Sequence, residues 1–168
     1  MEIRVANRVS DEEHRELFGW GDDIFRANHL NLRWKPKDLH IFVDIKGRPV
    51  THVGLLKHTI EVGKRPVKVC GVGGVVTVLH EHGKGYATHA MRHAAALMCK
   101  ELAVDFGLLF CRDQLLSFYE RLGWQKVEAP VEIQQPSGPV QSPMNVMVLP
   151  CRAKSWPAGR IKLNSFPW

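Results

Sequence analysis

Short apolar runs, cut at intervals by glycine, proline and charge, alternate with three stretches of helical spacing. Ile3 to Ala6 alternates briefly and predicts a first strand. Ser10 with Glu13 three residues on forms a capping-box pattern, which opens an amphipathic stretch through Leu17, Trp20, Ile24 and Phe25 that Gly19 and Gly21 break or bend. Residues 38–78 carry three β-rich runs separated by "KGRP" and "GKRP", the pattern of an antiparallel meander. The period then changes. Ala87, Ala90, Met91, Ala94, Leu97 and Met98 predict a helix whose narrow face of small side chains can sit close on a sheet. "GLLFC" (107–111) suits a buried strand, and "DQLLSFYERLGW" a helix closed by Gly123. Two late strands, Trp124 to Glu128 and Met144 to Leu149, are expected to be joined by a Pro-, Ser- and Gly-rich loop, and the aromatic tail from Ser155 is expected to pack without regular structure.

A length of 168 residues supports one well-buried core, so residues 1–168 are read as a single domain. The charged N-terminus lacks the apolar core of a secretory signal, and no apolar run approaches the roughly 20 residues of a membrane span, so a cytoplasmic protein with no membrane partner is expected. Cys70, Cys99, Cys111 and Cys151 form no Cys-x-x-Cys pair, which predicts reduced, mostly buried thiols. The net charge of +6 is dispersed, densest at "GKRPVK" (63–68) and without interleaved aromatics, so no nucleic-acid partner is expected and a basic RNA-binding module is a distant reading.

The chemistry concentrates in "VVTVLHEHGKGYATHAMRHAAALM" (75–98), where a strand runs through a glycine turn into a helix. Such a junction aims several backbone N–H groups and the positive end of a helix dipole at one point, an anion site suited to phosphate. Gly83 and Gly85 let the backbone approach closely, with His82 and Lys84 adding positive charge at the rim. A Walker A loop is excluded, because Val78 holds its first glycine position and Gly85 follows the lysine; "GVGGVV" fails as a dinucleotide fingerprint at Val76. A glycine-rich β-to-α turn without a ligand is the plain alternative. His80, His82, His89 and His93 lie near one another in sequence, but no carboxylate or cysteine completes a ligand set and no metal is expected.

Gly83-x-Gly85-x-Ala87 between a strand and an alanine-rich helix resembles the acyl-coenzyme A signature of the GNAT superfamily of N-acetyltransferases, with His80 at its Gln/Arg position. "FYERLGW" (118–124) resembles the superfamily's later Phe-Tyr-x-x-x-Gly-Phe element in order and spacing. The resemblance implies a mixed α/β GNAT fold: a mostly antiparallel sheet splayed between two central parallel strands, with helices on both faces. It implies an enzyme that moves an acetyl group from acetyl-CoA to a primary amine. Gly83, Lys84, Gly85, Tyr86, Ala87 and Thr88, with His82, are expected at the pyrophosphate, and Val75, Val76 and Thr77 at the pantetheine arm. Ser117 joins this donor-binding set. Tyr119 is expected to protonate the leaving thiolate, and an amide near Val76 to stabilise the oxyanion. Many relatives dimerise, which makes a homodimer an expectation.

From about Phe42 onward the chain also resembles the aminoglycoside 2'-N-acetyltransferase family, and "SWPAGRI" is similar to the nodulation protein A acyltransferases; both act on amino sugars. Phe118-Tyr119 falls on the former family's Leu-Tyr and Trp168 on its terminal Trp. Gly73 and Ser155, however, stand where that family has a glutamate and an aspartate, so a polycation meets a less acidic pocket and the general base is unassigned, with His52 and His80 as possible substitutes. The alternatives are a protein or small-amine acetyltransferase and a non-catalytic acyl-CoA-binding regulator.

Overall fold

The computed structural model describes residues 1–168. Strand β1 (Glu2–Ala6) leads to helix α1 (Asp11–Phe18), then β2 (Leu39–Ile45), β3 (Arg48–Val62), β4 (Arg65–Thr77), α2 (Tyr86–Ala96), β5 (Phe106–Cys111), α3 (Leu116–Glu120), β6 (Gln125–Lys126), β7 (Val131–Gln135), β8 (Gly138–Gln141), β9 (Asn145–Pro150) and β10 (Ile161–Lys162). The capping box forms at the start of α1: Glu13 N–H donates to Ser10 Oγ (3.2 Å) and Ser10 N–H to the Glu13 carboxylate (2.7 Å). Arg4 then ties α1 to the sheet, bridging Glu13 (2.7 Å) and Asp44 (2.9 Å).

The strands make one mixed sheet in the order β6-β9-β5-β4-β3-β10-β7-β8, with β2 and β1 added beside the first half of β3. All contacts are antiparallel except β4 with β5 and β10 with β7. β3 is long enough for one edge to serve two partners, β2 along residues 48–55 and β10 at Glu61 and Val62. Helices lie on both faces. On one, Gly107 leaves room for Met98, which follows α2, and for Trp124, which follows α3; a Cβ at Gly107 would come within 2.9 Å of the Trp124 ring. On the other, Phe18 of α1 meets His52 edge-on (5.2 Å), and the tail returns to lay the Trp168 ring on Gly71. Trp168 Nε1–H donates to the Leu108 carbonyl (3.0 Å), so its one polar atom is satisfied in the core.

Several expectations are corrected. The segment between the late strands is a hairpin, β7 with β8, and the tail contributes β10. The helix expected over residues 113–123 is a 3₁₀ turn (Asp113–Leu115) followed by the five residues of α3. The first amphipathic stretch is helical only to Phe18, because Gly19 caps α1 by donating to the Arg15 carbonyl (3.0 Å). Cys99 and Cys151 form a disulfide, their Cα atoms 4.7 Å apart; only Cys70 and Cys111 are free, buried thiols. Distance along the chain hid this pair: Cys151 N–H donates to the Asp105 carbonyl (3.0 Å), so the end of β9 lies against the segment that leaves Cys99. No helix is long and apolar enough to cross a membrane.

Candidate active site

Parallel pairing of β4 with β5 runs from Val69↔Phe106 to Val72↔Leu109 and stops. The cause lies in the next residues of β4. Its register against β3 passes from Gly54↔Gly73 to His52↔Val76, so Gly74 and Val75 together oppose Val53. This is a β-bulge, which bends the strand that carries it. Gly74 takes a φ of +59°, a conformation that a side chain disfavours. From Gly73 to Thr77 the edge of β4 that faces β5 is therefore unpaired.

His52 holds the bulge. A carbonyl oxygen can only accept, so the 2.7 Å contact between His52 Nδ1 and the Gly74 oxygen places the proton on Nδ1. Burial lowers the His52 pKa to about 4, leaving the ring neutral and Nε2 an acceptor for His40 Nδ1–H at 2.9 Å. Both nitrogens are engaged, so His52 has no lone pair to offer a substrate. His80 is 79% exposed and lies 3.9 Å from Glu81, outside the cleft lining, and so neither histidine is placed as a base. The position of Gly73 is occupied from above: a Cβ there would meet Lys37 Cε and the Trp168 main chain, each at 2.7 Å. Burial lowers the Lys37 pKa to about 8.

After β4, a 3₁₀ turn (Leu79–Glu81) leads to the glycine loop, and His82 Nε2–H donates to the Thr77 carbonyl (2.6 Å). Gly83 and Gly85 have φ of +78° and +83°, and a Cβ at either would meet nothing within 4 Å. Conformation, not crowding, demands glycine here. The N–H groups of Gly83, Lys84, Gly85, Tyr86, Ala87 and Thr88 have no acceptor in the protein; the first helical bond of α2 is His89 N–H to the Gly85 carbonyl. This leaves a run of free donors at a helix N-terminus, beside the open edge of β4.

Tyr119 closes the far side. It is 5% exposed, packed edge-on against Phe118 (5.0 Å) and Trp124 (6.2 Å). No fully occluded side-chain polar atom lacks a partner, so the Tyr119 hydroxyl, which bonds to nothing in the protein, is not sealed off, and Tyr119 lines the cleft. Burial first, then the neighbouring Cys111, raises its pKa, so it remains a donor. The Cys111 thiol is itself pushed up to about 11 by burial.

These parts border one cleft of about 520 Å³. Val75, Val76, Thr77, His82, Gly83, Gly85, Tyr86, Ala87, Thr88 and Tyr119 all line it. Lys84 and Ser117 do not: Lys84 is exposed and paired with Glu81 (2.8 Å), and Ser117 is exposed at the start of α3. Residues missed from the sequence are Trp20, Ile24 and Phe25, which form a wall after α1, and Glu81, Arg112 and Leu115. The only available signal was the apolar stretch interrupted by Gly19 and Gly21. His80, His82, His89 and His93 do not gather with other ligands into a metal-binding group.

A splayed parallel pair with a bulge in one strand, facing a glycine turn at a helix N-terminus, defines an N-acetyltransferase class of fold. The sequence profile of the acetyltransferase (GNAT) domain matches residues 12–127, and the chain belongs to that family. It is an acetyltransferase of the N-acetyltransferase class. No curated protein matches the chain in sequence. Among solved structures, the chain is similar to a GNAT family acetyltransferase from Brucella melitensis in complex with acetyl-CoA (11% identity, 95% of this chain and 94% of that one, TM-score 0.58). It is similar to ElaA from Escherichia coli (16%, 88% and 98%, 0.61) and to YhbS from Escherichia coli in complex with CoA (16%, 97% and 89%, 0.60). These likenesses are of fold.

Proposed function

We propose that this chain, acting as one unit over residues 1–168, transfers an acetyl or other short acyl group from coenzyme A to the primary amine of a small molecule. The observation that carries the reading is the set of unsatisfied amides from Gly83 to Thr88. Exposed donors with no internal acceptor, at the positive end of α2, suit a diphosphate. The coenzyme complexes of the Brucella melitensis protein and of YhbS support the same donor. The open edge of β4 from Gly73 to Thr77 suits the amides of a pantetheine arm, which extends the sheet by one strand.

The arm then delivers the thioester between the bulge and Tyr119. The acceptor nitrogen attacks the carbonyl carbon, an N–C bond forms and negative charge collects on oxygen. A main-chain N–H near Val76 stabilises that charge. Collapse breaks the C–S bond, the Tyr119 hydroxyl gives its proton to the departing sulfur, and the proton shed by the acceptor nitrogen passes to water in the open cleft, from which the Tyr119 phenolate is reprotonated. Lys84 and Ser117 are outside the lining of this cleft.

Calorimetry with coenzyme A, together with thiol release from acetyl-CoA over an amine panel, tests the reading. Tyr119→Phe should lower kcat by about 10² to 10⁴ while coenzyme A affinity stays within twofold. Absence of any heat with coenzyme A would exclude the donor site, and unchanged turnover in the variant would exclude Tyr119 as the acid.

A further inference from the structure

We propose that the acceptor is a small amine with an apolar body, aromatic or branched alkyl, seated on the wall formed by Trp20, Ile24 and Phe25, and not a polycation. The inference rests on the acyl-transfer reading of the cleft and extends it to the choice of substrate.

The wall is built and exposed. Gly19 ends α1, and the chain then turns so that Trp20 and Phe25 remain 38% and 41% exposed, a large aromatic surface to leave in water. Its shape is fixed from within. Trp20 Nε1–H donates to the Leu17 carbonyl (2.8 Å), and the Asp23 carboxylate accepts from Ala27 N–H (2.8 Å) and Asn28 N–H (3.2 Å). Phe25 lies 6.2 Å from Phe18, whose ring in turn packs on His52 beside the bulge. Leu115 and Phe118 face into the same cleft. The donor accounts for residues 75–77 and 82–88; the wall starts beside it, with Trp20 edge-on to His82 (6.3 Å), and runs through Phe25 to Phe18 by the bulge, where the other reactant meets the thioester.

Charge selects the same class. Among the seventeen lining residues the sole carboxylate is Glu81, and it is bound to Lys84 at 2.8 Å with His80 at 3.9 Å. His82 and Arg112 line the cleft with it, and Lys37 covers Gly73 on the approach to the bulge. Among the residues that line the cleft, a second ammonium on the acceptor finds no free anion. An apolar body loses water against Trp20, Ile24 and Phe25, and a phenyl or branched alkyl group buried there gains about 10- to 100-fold in kcat/KM over a hydroxyethyl group.

The test uses the full chain with saturating acetyl-CoA and compares 2-phenylethylamine and isoamylamine with ethanolamine, putrescine and kanamycin by thiol release. The apolar amines should lead by about 10-fold or more in kcat/KM. Phe25→Ala should shrink that lead by about 10-fold through the acceptor's KM, Phe25→Leu should restore much of it, and coenzyme A affinity by calorimetry should stay within twofold. Equal turnover of all five amines, a preference for putrescine or kanamycin, or coenzyme A binding with no turnover of either apolar amine would overturn the inference and leave the donor site standing. So would a Phe25→Ala protein whose amine preference is intact but whose choice between acetyl-CoA and hexanoyl-CoA has changed, since the wall would then serve the acyl chain. Failure to bind coenzyme A at all would instead remove the acyl-transfer reading beneath it.

Discussion

Replacing His52 with leucine separates the bulge from the rest of the active site. The substitution removes the donor to the Gly74 carbonyl (2.7 Å) and the acceptor for His40 (2.9 Å). Leaving a buried carbonyl unpaired costs about 1–3 kcal/mol, and for a chain of this size each kcal/mol moves Tm by about 2–4 °C. The effect on turnover comes from a different source. One oxyanion donor is worth about 10²–10³ in kcat, and a bulge that has lost its clamp but kept its pairing on either side should forfeit a part of that, about tenfold. Coenzyme A affinity should fall by less than kcat, because the glycine loop that takes the diphosphate is anchored through Thr77 and Val78 and only the pantetheine edge adjoins Gly74. His52→Asn retains an N–H donor at nearly the Nδ1 position and should recover most of kcat.

A pH arm adds a signature that a packing defect lacks. His52 titrates near 4 in the fold against an ordinary 6.5. The unfolded chain therefore takes up the proton first, and the fold loses stability as pH falls from 6.5 towards 4, by about 3 kcal/mol at the end of that window. The leucine variant should show a shallower decline of Tm over the same range. Wild-type kcat in His52→Leu, or a loss of coenzyme A affinity equal to the loss in kcat, would refute the assignment of His52 as a positioning residue.

Gly85→Ala places a side chain at a φ of +83° with open space around it, so the cost is conformational, about 1–2 kcal/mol, and coenzyme A should bind about 5- to 30-fold more weakly by calorimetry. Lys37 titrates near 8, below its ordinary 10.5, because of burial. Its charged form disfavours the fold below pH 8 and is relieved as pH rises towards 10.5, so Tm should climb over that interval in the wild type and less in Lys37→Met. The disulfide joins residues 52 apart, and reducing it should cost about 4 kcal/mol and lower Tm by about 8–16 °C. Thiol titration of the denatured, unreduced protein should find two groups, and finding four would refute the bridge.

Where local chemistry decides structure, the residues were legible in order. Ser10 and Glu13 satisfy each other across one turn, and "KGRP" and "GKRP" turn the chain between strands whatever surrounds them. The glycine loop was equally readable, since positive φ at Gly83 and Gly85 needs no distant partner. The bulge was not, because it exists only as a mismatch between β3 and β4, and "GVGG" carries no mark of which residue will be the extra one. The β7–β8 hairpin was obscured by Pro130, Pro136, Pro139 and Pro143, which fall outside β7 or within the short β8. Trp20, Ile24 and Phe25 read as one more turn of an apolar helix face. Only the end of α1 at Gly19 turns them towards the cleft. Cys99 with Cys151, and Gly71 with Trp168, are meetings of segments that no window along the chain contains.

The sharing of β3 between β2 and β10 orders events in biosynthesis. Ile161 pairs with Val62 and Val131, so the lower edge of β3 stays bare, and Gly71 stays uncovered, until residues 161–168 have been made. A nascent chain halted before that point presents an unpaired edge and an apolar trough together, a template for self-association. Contacts spanning about a hundred residues also close slowly. Loss of residues 161–168 should therefore be felt first as poor recovery of soluble protein during synthesis at 37 °C, before any defect in the distant cleft is measurable.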